Sequence, residues 1–446
     1  MMLSCGVSRL IVRHLRTGVA STAQVPQVCI VGSGPAGFYT AQQILKSHAA
    51  AQVDMYEKLP VPFGLVRYGV APDHPEVKNC INTFTQTAAK DRFTFLGNVD
   101  IGSDITFSQL REAYHAVVLA YGAAQDRALN IPGESLPNVL SAREFVGWYN
   151  GLPENADLKV DLNVESVGII GQGNVAVDVA RILLTPVDIL KKTDIPENIL
   201  ERLNGSRVRH MTLVGRRGPE HVAFTIKELR EMVNLEGSRP DLRREDYKHL
   251  RNLIPNLPRP RKRLLELLAK TGLDAPDPKL ASSWAAAEKQ LEGEGLNQRA
   301  VQTDETESLQ CGLILRSIGY KGVEIDSSLP FDQRTGTISN NGGRVTGQNG
   351  KVLCTGPVGV ILSTMTSGFT TGKVVVADME TGSVDISRPR SGQTLIKSAL
   401  AEKGVQPVSF DQWNRLNQYE VETGAKLGKP REKVSNIKHM MDIIHQ

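Results

Sequence analysis

Apolar residues along this chain gather in short runs that end at glycine, and a stretch with helical spacing follows most of them. In "QVCIVGSGPAGFYTAQQILK" the run over residues 27–31 alternates too little for a half-exposed strand, which predicts a buried parallel one. A glycine turn follows, then a helix from about Pro35 to Leu45. "VDMYEK" predicts a second strand ending at Glu57, and "AVVLAYGA" (116–123) a further buried strand with a small-residue turn. The pattern then restarts. "SVGIIGQGNVAVDVARILL" gives strand, turn and helix, and "RHMTLVGRRG" (209–218) gives the next strand. "CGLILRSIGY" (311–320) is again an apolar strand ending at a glycine. "KVLCTGPVGVILSTMTSGFTTGKVVVADM" reads as a strand, a glycine-rich turn and a long helix.

Two such units in one chain predict an α/β fold of two Rossmann-like nucleotide-binding domains, one inserted in the other. The outer domain takes residues 25–124 and 323–446, and the inserted one takes residues 125–322. Between about 234 and 310 the chain is charged and poor in β-branched residues. "LASSWAAAEKQLEGEGLNQRAVQTDETE" there predicts a short helix followed by a mobile loop.

Composition narrows the class. A length of 446 residues suits two domains, and 40 glycines suit a turn-rich α/β enzyme. No apolar run reaches the length of a membrane span, so a soluble mature protein is expected. A formal net charge of +4 is too mild to suggest nucleic acid. The five cysteines (Cys5, Cys29, Cys80, Cys311 and Cys354) form no C-x-x-C pair, which argues against structural zinc, a cysteine-ligated cluster or a redox dithiol. Cys29 and Cys311 read as small core residues. Residues 1–24 place Leu3, Val7, Leu10, Ile11 and Leu15 at helical spacing with Arg9, Arg13 and Arg16 between them, and no acid occurs before Asp54. That is the pattern of a mitochondrial transit peptide.

The glycines carry the first chemistry. In "GSGPAG", Gly32 makes the tight turn, Gly34 admits a pyrophosphate and Gly37 packs helix on strand. The helix N-terminus adds its positive end. Glu57, about 20 residues past the turn, is placed to hold ribose hydroxyls. In "GQGNVA" the third position is Ala176, and the following strand ends in Arg216 and Arg217. Two guanidiniums suit the 2′-phosphate of NADP(H). An acid-ended FAD site beside an arginine-ended NADP site makes a hydride relay. No cysteine pair is available as internal acceptor, so the electrons are expected to leave for a separate protein. Arg259, Arg261, Lys262 and Arg263 in "PRPRKRL", with Lys227 and Arg230 in "IKELREM", form a basic patch that would attract an acidic one.

The stretches "VGSGPAGFYTAQ", "EKLPVPFGLVRYGVAPDHPEVKN", "GQGNVAVDVARILL", "VGRRGPEHVAFTIKELREM" and "GKPREK" closely resemble the mitochondrial NADPH:adrenodoxin (ferredoxin) oxidoreductase family. The resemblance covers most of the chain after the leader. It implies a flavoprotein with the NADP domain inserted in the FAD domain. Electrons would pass from NADPH to a [2Fe–2S] ferredoxin that serves haem monooxygenases of steroid synthesis and iron–sulfur cluster assembly. By matching position it implies that Ala36, Glu57, Leu65 and Ile101 contact FAD, as do Gly359, Val360 and Ile361. Gly171, Gln172, Gly173, Asn174, Val175, Arg216, Arg217 and Glu228 would contact NADP, and Gly359 would also meet its nicotinamide. Arg230, Arg259 and Arg263 match ferredoxin-docking arginines. His74 and Asp178 match a pair near the flavin. The resemblance also implies a matrix location, with peripheral association with the inner membrane.

"TGPVGVI" keeps Gly356, Pro357, Gly359 and Ile361 of the family's last flavin motif but lacks the tryptophan that precedes them. A second reading follows from that shortened turn: a relative that binds FAD or ferredoxin without efficient turnover. The residues after Trp284 are also fewer and less strand-like than in the family, which predicts an incomplete edge to the inserted domain. A third reading, the reductase subunit of a glutamate-synthase-like complex, would require N-terminal cysteine clusters that are missing here.

Overall fold

Alternate residues of a strand point to opposite faces, so a strand that is apolar at every position must be covered on both. The computed structural model describes residues 24–242, 247, 250–273, 282–284, 291–292, 299–300, 306–347, 352–354 and 361–446. Its site-building strands are β1 (Gln27–Val31), β2 (Gln52–Tyr56), β3 (Phe93–Leu96), β4 (Ala116–Leu119), β5 (Val139–Ser141), β6 (Ser166–Ile170), β7 (His210–Val214), β8 (Leu313–Arg316) and β9 (Val352–Cys354). The first sheet runs β9-β4-β1-β2-β3, all parallel, with a hairpin of Asn340–Asn341 and Arg344–Val345 on the β9 edge. The second runs β5-β8-β6-β7, also all parallel. Both are Rossmann-like, and the second is inserted in the first.

In the first sheet Val28, Ile30, Val53, Met55 and Val118 face α1 (Pro35–Ser47) and α6 (Ile361–Glu380). Cys29, Val31, Tyr56 and Val117 face the helices Phe107–Ala113 and Gln393–Glu402. In the second, Val167, Ile169, Met211, Leu213 and Leu315 share a core with α2 (Ala142–Tyr149), α3 (Asn174–Leu184), α4 (Ile226–Val233) and α5 (Arg259–Leu273). The chain crosses between sheets through a ribbon in which Gln125–Asp126 pairs antiparallel with Tyr320–Lys321. One expectation fails: Ser282–Trp284, read as part of a short helix, is a strand parallel to Pro240–Leu242. Pairing with that neighbour overrides the local helix preference of the alanine-rich run. Residues 1–23 of the leader, and the "TGPVG" turn with Gly359 and Val360, lie outside the described residues. No helix among the described residues is long and apolar enough to cross a membrane.

Charged residues also join the domains. Lys78 of the outer domain and Lys433, within "GKPREK", both bind Asp194 of the inserted domain, at 2.7 and 3.1 Å. Burial opposes the charge on Asp194, but the two ammonium groups outweigh it and hold the carboxyl well below the usual range. Lys433 Nζ also donates to the Asn150 carbonyl, and Lys429 Nζ to that of Ile195. Behind this strap, Glu420 is buried between Arg67 and Arg431.

Helices α1 and α6 run parallel in close contact, because Gly368 lies on Ala36 and Thr40 and Gly372 lies on Thr40 and Gln43. Thr40 Oγ1 donates to the Gly368 carbonyl at 3.1 Å. At 1.5 Å per residue the start of α6 at Ile361 lies about 10 Å before the Gly368 contact. A Cβ on Gly368 would fall 2.8 Å from Tyr39 Cβ and 2.9 Å from the Ala36 oxygen, so a larger residue must part the helices. Gly368→Val should therefore lower stability by about 1–3 kcal/mol, read as a lower midpoint of chemical denaturation. An unchanged midpoint would show that the close approach is dispensable.

Candidate functional site

Ligands of open α/β sheets bind beyond the carboxyl ends of the strands. Both glycine turns stand there. Gly32, after β1, has φ +103°, and Gly171, after β6, has φ +134°, a region L side chains rarely adopt. Each also abuts the backbone that follows a neighbouring strand. A Cβ on Gly32 would lie 2.4 Å from the Ala120 oxygen, and one on Gly171 would lie 2.0 Å from that of Ser317. Gly34 and Gly173, by contrast, have no atom of the described residues within 4 Å of a would-be Cβ. Each is the N-cap of its helix and offers no side-chain cap. Each helix N-terminus thus begins beside a glycine that leaves room for a ligand against its first-turn N–H groups, the donor set a pyrophosphate requires.

The third positions differ. A Cβ on Gly37 would meet the Gly32 oxygen at 2.1 Å, whereas Ala176 carries its methyl fully buried. The first turn therefore admits only glycine there, and the second is slightly wider.

Glu57 follows β2 and is half-buried. Its Oε2 accepts from Ser33 N at 3.0 Å and Ser33 Oγ at 2.7 Å, and its Oε1 accepts from Leu59 N at 3.1 Å. Burial pushes its pKa up against these bonds, which favour the charged form. Oε2 already accepts two bonds, whereas Oε1 accepts one and retains a lone pair for a ribose hydroxyl. Phe63 N donates to the Ser33 carbonyl, which seats the segment carrying Leu65 on the same turn; Leu65 is itself exposed. Ala36 is buried on α1, and Ile101 is buried beside Leu96 and Val99 beyond the end of β3.

At the second turn the Gln172 side chain lies across Gly215, where a Cβ would fall 1.9 Å from Gln172 Cδ. Arg216 and Arg217 follow at once, exposed and without an ion pair among the described residues. Asn174 Oδ1 accepts from Thr225 N, tying the turn to the cap of α4. Val175 is the second residue of α3 and is half-buried.

The domains meet at a charge cluster. His74, buried in the outer domain, shares a 2.7 Å hydrogen bond with Glu231 of α4. Arg181 of α3 binds Asp73 through Nε at 2.5 Å and Nη2 at 3.1 Å, Asp178 at 2.7 Å and Glu228 at 3.2 Å. Donor atoms of His74, Asp178 and Glu228 lie within 4.8 Å of one another. Burial raises the Asp178 pKa, with Arg181 opposing it. Glu228 is pushed up to about 7 by burial and then by the charge of Asp178. His74 and Asp178, far apart in sequence, are thus brought together.

The basic patch contracts. Arg230, Arg259 and Arg263 are exposed, the last two one helical turn apart on α5. Arg261 is not part of it: its guanidinium donates to the carbonyls of Val222 and Glu220 and ties α5 to that turn. Lys227 is taken by Glu76 at 2.6 Å.

The sequence profile of the pyridine nucleotide-disulphide oxidoreductase family matches residues 26–212. The mitochondrial NADPH:adrenodoxin oxidoreductase of Bos taurus is 52% identical over 94% of this chain and 92% of its own length. The chain belongs to the NADPH:adrenodoxin oxidoreductase family. A member from Arabidopsis thaliana is 40% identical over 96% of this chain and 98% of its own. Among solved structures, Mycobacterium tuberculosis FprA in complex with NADPH gives a TM-score of 0.88 at 33% identity, covering 94% of this chain and 100% of that one.

His74 and Asp178 were singled out through the resemblance, but their neighbours Asp73, Arg181 and Glu231 were not. Two signals could have found them: an arginine inside the apolar run of "VAVDVARILL", and Glu228 and Glu231 at helical spacing in "IKELREM".

Proposed function

We propose that this chain carries electrons from NADPH through FAD to a [2Fe–2S] ferredoxin of the adrenodoxin type, in mitochondria. The observation that carries the reading is one acid-ended and one arginine-ended dinucleotide cradle, at the carboxyl ends of two sheets whose domains meet at the His74–Asp178–Glu228 cluster. Relatives matched over nearly the whole chain are named for NADPH, adrenodoxin and the mitochondrion. The impaired-relative reading has no observation in its favour.

The residues fit both nucleotides. Gly32, Gly34 and Gly37 with the start of α1 would take the FAD pyrophosphate, and Glu57 its ribose. Gly171, Gln172 and Gly173 would take that of NADPH, with Asn174 and Val175 opening the helix beneath it. Arg216 and Arg217, exposed and without an ion pair among the described residues, would grip the 2′-phosphate, and the fixed fork of each guanidinium suits that group. FAD, when bound, accepts an electron pair from NADPH and delivers it onward to the ferredoxin. Arg230, Arg259 and Arg263 would steer an acidic ferredoxin by attraction that salt weakens.

Replacing both Arg216 and Arg217 by Ala should raise the KM for NADPH about 10- to 100-fold while changing that for NADH by less than about threefold, since a buried or close charged contact is worth about 1.5–3 kcal/mol. Equal effects on the two nucleotides would remove the 2′-phosphate assignment. Arg259→Glu with Arg263→Glu should slow ferredoxin reduction about tenfold or more at low salt, with reduction of a small dye intact. If dye reduction fell in parallel, the docking patch would be wrong.

A further inference from the structure

Arg181 stands where three elements converge. Its side chain is 4% exposed and reaches Asp73 on the outer-domain loop, Asp178 on its own helix, and Glu228 and Glu231 on α4, the last at 3.7 Å. Four carboxylates therefore surround one guanidinium. The other charged or titratable neighbours are His74 on Glu231, Lys227 shared by Glu76 and Glu231, and the Tyr149 and Tyr320 hydroxyls. Tyr149 finds no hydrogen-bond partner among the described residues, so it does not hold the cluster.

We infer that Arg181 is a positioning residue for the NADPH-to-flavin step: its guanidinium holds the His74 loop of the flavin domain against α3 and α4 of the NADP domain. This deepens the reductase reading and rests on it. The geometry is specific to arginine. One face of the fork binds both oxygens of Asp73 and the remaining N–H groups reach Asp178 and Glu228. A lysine ammonium is a single point and cannot span both domains at these distances. Without the positive charge, the Asp178 and Glu228 carboxylates, with oxygens within 4.8 Å of each other, would repel. They would then separate or take up a proton, and either response displaces His74 from Asp178. Arg181 also opposes proton uptake by Asp178 and Glu228, so its removal moves their protonation to higher pH.

The test compares FAD-loaded wild type with Arg181→Gln and Arg181→Lys by anaerobic stopped-flow reduction with NADPH across pH 6–9, alongside FAD content and melting temperature. Arg181→Gln should slow flavin reduction about 10- to 100-fold per bound FAD, with the dissociation constant for NADPH changed less than about threefold. The midpoint of its pH dependence should rise by about one unit. Arg181→Lys should restore that midpoint but only part of the rate. A purely architectural role would lower FAD content or melting temperature and leave the rate per bound FAD and its pH midpoint unchanged, which would overturn the inference. Asp73→Asn removes only the interdomain limb and covers the case in which neither variant folds. It should slow reduction several-fold, and wild-type behaviour would overturn the inference equally. If NADPH does not bleach the wild-type flavin, the reductase reading itself fails. If it does and the variants match it, only the role of Arg181 falls.

Discussion

Buried opposite charges tie the two nucleotide domains together where they meet. Arg181 with Asp73, and Asp194 with Lys78 and Lys433, all cross the junction with their side chains at least four-fifths buried. Such pairs repay their desolvation only in good geometry, so they contribute little net stability but penalise a misplaced partner by about 3–5 kcal/mol. That asymmetry suits a relay. The cofactor cradles lie on separate sheets, and a transfer between them falls steeply when reacting groups shift by about 1 Å. The C-terminal strap adds to this constraint, since Lys429 and Lys433 donate to carbonyls of the inserted domain from a segment that packs with the outer one.

The two cradles share one piece of physics and differ in two details. In both, a glycine with positive φ presses against the next strand's exit, and a helix N-terminus begins beside a glycine that leaves room for a ligand. The first cradle is tighter, because Gly37 touches the Gly32 carbonyl where Ala176 leaves room for a methyl. The second detail is charge. Glu57, fixed by Ser33 and Leu59, ends one unit, and the exposed guanidiniums of Arg216 and Arg217 end the other. On the proposed function, two nearly identical turns are told apart by the residues one strand away.

Most of the fold was legible because it is written in local patterns. β1, β4, β6 and β7 are short apolar runs with glycine or small-residue exits, and α1 begins at Pro35 as its spacing predicts. The junction was not legible. Asp73 and Arg181 are 108 residues apart, and Lys78 and Asp194 are 116 apart, so no window of sequence contains both ends of either pair. Ser282–Trp284 was misread for a related reason, since its strand character comes from pairing with Pro240–Leu242. Arg261 shows a third limit. In sequence it is one of a run of basic residues, and only the fold turns it inward onto two carbonyls while Arg259 and Arg263 stay outside.

The central claim is that electrons cross this junction from NADPH to flavin and then leave the chain for a ferredoxin. An anaerobic titration of the FAD-loaded protein with NADPH, followed by flavin absorbance before and after adding oxidised [2Fe–2S] ferredoxin, tests it most directly. Bleaching near one NADPH per flavin is expected, with return of the yellow colour as the ferredoxin is reduced. A flavin that stays yellow with NADPH, or that bleaches but is not reoxidised by ferredoxin, would contradict that claim.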